Sequence, residues 1–343
     1  MYGVSIRLKN GMVNSNNWRK PLSWLSIAIL VLAAASACGS TTPDAGDEQG
    51  QAEAEAVSLG KGEKLQVVAT TNIVGDIVSH VGADQIELTT LMAVGVDPHS
   101  YVPTPADTAA VHDAHVVFAN GADLEEFLEE MLNSAGGDAI QVPLSEGLTL
   151  QTTRGGPVEA QDEAEHEREG TDPHVWFDVQ NVIHWVETIE HTLNILDPVH
   201  TEVYKANAEA YTRALQELDA WIARQVATIP ETNHKLITNH PAFGYFAKRY
   251  GLEQLGAVYP VSPSSEPSAQ GIAALEDAIR EYGVPAVFTE STVNPKLAQQ
   301  VADDTGVKLV PLYTGSLGGP GSGVESYIEL MRYDVNAIVQ VLR

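Results

Sequence analysis

The tripeptide Asp-Pro-His occurs twice, as Asp97-Pro98-His99 and Asp172-Pro173-His174. Proline fixes its own φ and stiffens the turn, so each imidazole is held in place before a ligand arrives. A single copy would read as an ordinary polar turn, because Asp-Pro commonly opens one. Two copies in two loops point instead to a pair of imidazole ligands. A third imidazole, His240, stands in Thr238-Asn239-His240-Pro241, here just before a proline rather than after one. Three neutral imidazoles from separate loops make a borderline-soft site. It suits zinc, or manganese if carboxylates complete the shell, better than calcium or magnesium.

The carboxylate best placed to join them is Glu290, in Phe288-Thr289-Glu290-Ser291. It ends an expected strand, where a side chain points from the carboxyl edge of the sheet toward a cleft; capping the next loop is its competing role. His80, His112, His115, His184, His191, His200 and His234 read as structural or solvated. Imidazole must be neutral to coordinate, so capture should weaken below about pH 6.5.

These side chains need rigid elements behind them. The β-branched run at 65–70 reads as a strand that passes into helical spacing across Ile73, Ile77 and Val78. Strands at 86–91 and 115–119 and helices at 104–113 and 123–133 continue the alternation, which implies a parallel sheet covered by helices. From Asp178 a helical pattern lasts roughly fifty residues, broken at Asp197-Pro198, where Asp197 can cap and Pro198 can enter a first turn. After Pro230, strands at 235–238, 286–289 and 308–312 alternate with helices at 242–250, 269–282, 295–305 and 327–342. The fold class is therefore α/β: an N-terminal lobe at 64–196, a long linking helix at 197–229 and a C-terminal lobe at 230–343. Two such lobes create a cleft at the strand ends, the usual place for a ligand in this class.

The ends of the chain carry a different message. Residues 1–37 hold Arg7, Lys9, Arg19 and Lys20 and no acid, followed by an apolar run that closes on Ala35-Ser36-Ala37-Cys38. That is the layout of a secretory signal peptide. The apolar stretch falls short of the roughly 20 residues a spanning helix needs, so the mature chain is expected to have no transmembrane helix. Cys38 is the single cysteine, which excludes an internal disulfide and a thiolate cluster. Its setting resembles a bacterial lipobox, so Cys38 is the expected lipidation site and residues 38–63 the polar tether to the membrane. Loss of the signal moves the formal charge from −27 to −31, because four Lys or Arg and no acid leave with it. Such a body would repel nucleic-acid phosphates. A Gly- and acid-rich stretch at 153–170 reads as a loop that either gathers metal weakly or is a solvated insert.

With 44% apolar residues in 343, each lobe can bury a core. From about Leu65 to Arg343 the chain resembles the periplasmic metal-binding receptors of bacterial zinc and manganese ABC importers, also called cluster A-I. The resemblance rests on the three histidine motifs, on Thr70-Thr71-Asn72-Ile73 and Phe288-Thr289-Glu290-Ser291, and on Ser326-Tyr327 through Met331-Arg332-Tyr333. It implies two α/β lobes joined by a rigid long helix, with metal held between them by His99, His174 and His240 and delivered to a membrane permease. Many members carry an aspartate ligand in the loop after the last strand; here that stretch reads Leu312-Tyr313-Thr314-Gly315-Ser316-Leu317. Gly315 offers no side chain, so the fourth place falls to Glu290, to a water or to another acid.

The reading that follows is a monomeric, lipid-anchored binding module, not an enzyme, that carries zinc or manganese as its transported ligand to an ABC permease outside the cytoplasm. A metal-dependent hydrolase with Glu290 as base is the rival, though neither His-Glu-x-x-His nor Gly-x-Ser-x-Gly occurs. A surface adhesin with a structural metal is a third reading.

Overall fold

A computed structural model describes residues 55–153, 170–259, 263 and 267–343. The expected signal peptide, Cys38, most of the tether and the body of the acidic loop lie outside the described residues.

The N-terminal lobe runs β1 (Leu65–Ala69), α1 (Asn72–Gly82), β2 (Ile86–Thr90), α2 (Pro105–Asp113), β3 (Val116–Ala119), α3 (Leu128–Ala135), β4 (Ile140–Pro143) and α4 (Val179–Leu196). α5 (Thr201–Val226) follows. The C-terminal lobe runs β5 (Lys235–Thr238), α6 (Gly244–Tyr250), β6 (Glu253–Ala257), α7 (Ala269–Tyr282), β7 (Ala286–Glu290), α8 (Lys296–Thr305), β8 (Lys308–Leu312) and α9 (Tyr327–Leu342). Both sheets are parallel, ordered β2-β1-β3-β4 and β6-β5-β7-β8. The two-lobed α/β expectation is met.

Strands buried on both faces explain the continuous apolar runs: every residue of β3 and of β7 is buried. Helix starts follow from short polar caps. Thr71 accepts from Val74 N at α1, and capping boxes join Thr104 to Asp107 at α2 and Ser326 to Glu329 at α9.

One apolar core runs through both lobes. It joins Leu65, Ile77 and Trp185 on the N-terminal side to Phe243, Phe288 and Tyr327 on the C-terminal side, with Tyr204, Leu215, Leu218 and Ile222 of α5 between them. Smaller clusters cover the outer sheet faces, around Val68 and Val117 in one lobe and Ile237 and Val287 in the other. Burying each such Val, Ile or Phe contributes about 1.5–3 kcal/mol. The 26 residues of α5, at 1.5 Å each, span about 39 Å. Its buried residues Tyr204, Ala208, Tyr211, Leu215, Leu218, Ile222 and Val226 form one stripe three or four residues apart. α5 packs on α1, α4 and α9, so it works as a spine shared by both lobes. Among the described residues no helix is long and apolar enough to cross a membrane.

Four local expectations need correction. α3 starts at Leu128 because Gly121, Ala122 and Asp123 all take positive φ, which an α-helix excludes. Buried Glu125 holds that loop, accepting from Asn120 N at 2.8 Å, Gly121 N at 2.9 Å and Thr70 Oγ1 at 2.6 Å. β4 and β6 are strands that short, polar or glycine-containing runs concealed. At the α4–α5 corner Pro198 lies in a 3₁₀ turn, Pro198–His200, and the Asp197 carboxylate makes no cap bond there. It accepts instead from Tyr204 Oη at 2.7 Å and His200 Nδ1 at 2.6 Å.

Candidate metal centre

The carboxyl ends of the two sheets face each other, and the three expected histidines meet between them. His99 and His174 come from the loops beyond the edge strands β2 and β4. His240 lies two residues beyond β5, and Glu290 is the last residue of β7, its neighbour at the point where the strand order reverses. The Nε2 atom of His174 lies 3.0 Å from that of His99 and 2.9 Å from that of His240. Among the described residues, His99, His174 and His240 form the one group of potential metal-binding side chains whose ligand atoms all lie within 4.8 Å of one another. His174 and His240 are 2% exposed, and His99 is half-buried.

Each ring is aimed by its neighbours. Asp97 caps the 3₁₀ turn Pro98–Ser100 and accepts from His99 N at 3.1 Å. Asp172 does more: one oxygen accepts from His174 N at 3.0 Å and from His174 Nδ1 at 2.8 Å. The Asp172 backbone is itself held, with its N–H donating to Gln151 O and its carbonyl accepting from Tyr245 Oη at 3.1 Å. Trp176 stands edge-on to the His174 ring, with centroids 5.3 Å apart. Thr152 and Thr171 pair as an antiparallel bridge just before this motif, clamping the base of the acidic stretch beside the site.

On the opposite side, Glu290 Oε1 accepts from His240 N at 3.1 Å and, in a short contact, from His240 Nδ1. Its other oxygen accepts from Thr314 Oγ1 at 2.6 Å. Glu290 is thus placed behind the His240 ring, and its carboxylate is not in the three-histidine group. Both of its oxygens are engaged, one by His240 and the other by Thr314, so in this geometry the carboxylate holds the imidazole. A carboxylate accepting at Nδ1 fixes the tautomer and makes Nε2 a better donor to metal.

The electrostatics follow. Burial, reinforced by the neighbouring imidazoles, pushes His99 down to about 2, and burial holds His174 well below the usual imidazole value. Burial also opposes charge on His240, but Glu290 outweighs it and raises His240 overall. Glu290 is correspondingly lowered, despite its burial, by His240. Burial pushes Asp172 up to about 7. Because Asp172 and Glu290 take the Nδ1 protons, the Nε2 atoms of His174 and His240 face each other as lone pairs. A metal ion can accept both lone pairs at once. Zinc with Zn–N bonds of 2.0–2.1 Å sets tetrahedral nitrogens about 3.3 Å apart, a few tenths of an ångström beyond the spacing found.

The other described histidines serve the fold. His115 accepts from Gln66 N, His112 and His184 bond to backbone carbonyls, and His80 stacks on Tyr211. What sequence reasoning missed is the outer ring of partners: Asp172, visible in its motif without a role, and Thr314, which carries no local signal. Gly315 lies directly against Pro98: a Cβ there would sit 2.7 Å from Pro98 Cδ.

The chain is 36% identical over 284 residues to the manganese-binding lipoprotein MntA of Halalkalibacterium halodurans, covering 82% of this chain and 89% of that one. It is 31% identical over 279 residues to the iron-binding protein YfeA of Yersinia pestis, covering 81% and 86%. Its structure superposes on the periplasmic zinc-binding protein TroA from Treponema pallidum with a TM-score of 0.73, at 30% identity, covering 82% of this chain and 99% of that one. The family model described as zinc-uptake complex component A, periplasmic, matches residues 67–341, and the chain belongs to that family, ZnuA.

Proposed function

We propose that this protein captures a divalent transition metal ion, zinc in the first place and manganese as the alternative, and delivers it to an ABC permease. The observation that carries this is the convergence of three Nε2 atoms in a buried interlobe cleft, two of them on rings whose Nδ1 protons are taken by carboxylates. His99, His174 and His240 are the ligands, and Asp172 and Glu290 hold two of the rings. Three nitrogens without a carboxylate favour zinc, while relatives named for manganese and iron keep the choice of ion open to experiment. The base that a hydrolase would need is not free, since both Glu290 oxygens are occupied.

The protein acts as a monomer outside the cytoplasm, held to the membrane through a lipid on Cys38 after removal of residues 1–37, in keeping with relatives named as lipoproteins. Titration of the mature, metal-free chain with zinc and with manganese, repeated with His99→Ala, His174→Ala and His240→Ala, tests the site. One ion per chain and weaker binding in all three variants is the expected result. Variants with wild-type stoichiometry and affinity would overturn it.

A further inference from the structure

Helix α1 carries a polar stripe in which Asn72, Asp76 and His80 stand four residues apart and so share one side of the helix. Asn72 reaches the C-terminal lobe twice: its Nδ2 donates to Ser316 Oγ at 3.1 Å and its Oδ1 accepts from Leu317 N at 2.8 Å. The same Nδ2 donates at 3.3 Å to the carbonyl oxygens of Met92 and Ala93, on the segment that leads to His99. Ser316 Oγ also accepts from Gly95 N of that segment, at 2.7 Å. Both lobes therefore meet on one buried amide and one buried hydroxyl.

One turn along α1, Asp76 Oδ2 accepts at 2.9 Å from the backbone N–H of Tyr327, the first residue of α9. The hydroxyl of this fully buried tyrosine donates to Trp176 O at 2.7 Å, two residues beyond His174. Tyr327 thus joins α1 by its backbone and the loop of the central imidazole by its side chain. His80 stacks on Tyr211 of α5, with ring centroids 4.1 Å apart, and ends the stripe on the spine. Parting the lobes on this side breaks every one of the cross-lobe bonds, and none of these side chains belongs to the three-histidine group.

We propose that Asn72 and Asp76 are positioning residues for metal capture, a clasp on α1 that keeps the lobes closed. With the clasp fastened, the three imidazoles stay converged before an ion arrives; with it broken, the binding-competent state is less populated and affinity falls by that fraction. This inference rests on the metal-capture reading above.

The test compares the mature wild-type chain with Ser316→Ala, Asp76→Ala, Asp76→Asn and the double variant Asp76→Ala/Ser316→Ala. Zinc affinity is measured by competition against a colorimetric chelator, and zinc release by rapid mixing of the loaded chain with that chelator in excess. Ser316→Ala and Asp76→Ala should each release zinc about tenfold faster, the weight of one buried hydrogen bond, and the double variant faster than either. Asp76→Asn keeps an acceptor for the Tyr327 N–H and should stay within about threefold of wild type. Spin labels at Glu129→Cys on α3 and Asp303→Cys on α8, both exposed, read the interlobe distance of the metal-free chain in a Cys38→Ser background. That distance should lengthen or broaden in Ser316→Ala and Asp76→Ala, whereas a merely local loss of stability would leave it unchanged. Should Asp76→Ala fail to fold, Ser316→Ala carries the distance and release measurements alone. Wild-type distance and release in Ser316→Ala, or Asp76→Asn as fast as Asp76→Ala, would overturn the clasp. A wild-type chain that binds no zinc would instead sink metal capture itself, and the distances would still decide whether the clasp holds the lobes.

Discussion

The two lobes share one sheet plan and place their candidate ligands differently. In the C-terminal lobe, His240 follows β5 directly and Glu290 sits on β7, so the strands themselves place both groups. In the N-terminal lobe, His99 and His174 come from long connections beyond β2 and β4, and each needs an Asp-Pro turn to hold it. Even those two turns differ, because Asp172 grips both the backbone and the ring of its histidine while Asp97 takes only the backbone. A ligand carried by a strand inherits its position from the sheet. One carried by a loop must be stiffened residue by residue.

The largest effect should come from the ring in the middle. His174→Ala removes the nitrogen close to both others and should cost more than about a hundredfold in zinc affinity, beyond the range for losing an outer partner. A smaller loss than in His99→Ala, measured by the same competition assay, would overturn the central place given to His174.

Next come the two carboxylates behind the rings. Glu290→Gln and Asp172→Asn should each weaken zinc binding by about 10–100-fold. Glu290→Gln should be the more damaging, because Glu290 also secures Thr314, beyond the neighbouring strand β8. The reverse order would mean that the loop-borne ring depends more on its partner than the strand-borne one.

The pH dependence separates the lobes in another way. His99 and His174 are held low and stay neutral across the neutral range, while Glu290 holds His240 above the ordinary imidazole value. The ion must displace the His240 proton, so affinity should fall as pH drops through this raised pKa, with about one proton released per ion. This sharpens the sequence expectation of a fall below about pH 6.5, since a single C-terminal-lobe imidazole sets it. Glu290→Gln removes the raising charge and should flatten the dependence. A wild-type slope near three protons, from calorimetry in buffers of different ionisation enthalpy, would show that all three rings titrate.

The smallest effect is expected at Asp97. Asn caps such a turn about as well as Asp, and no ring bond is lost, so Asp97→Asn should stay within about twofold of wild type in zinc affinity. A loss matching that of Asp172→Asn would erase the distinction between the two turns.

Much of the candidate site was legible because residues on stiff loops leave local marks. Repeated Asp-Pro-His and a His-Pro after a β-branched strand can be read without knowing where the strands lie. Alternating apolar runs likewise announced two α/β lobes. The 123–127 stretch was misread as helix because the carboxylate that bends it, Glu125, bonds to Thr70, 55 residues earlier in the chain. β4 and β6 escaped because strands of four and five residues with Gln, Pro or Gly carry too little periodicity to stand out.

The sequence by itself determined which residue types were available: three imidazoles on stiff turns, one carboxylate at a strand end, and a glycine where a side chain would be needed to coordinate. Tertiary structure alone decided what they do. Glu290 faces the back of His240 because the short step from β5 brings that ring against the end of β7, and Thr314 takes the remaining oxygen. Gly315 lies against Pro98, a residue of the other lobe. Side-chain direction and close approach are set by packing between distant segments, which no local pattern encodes.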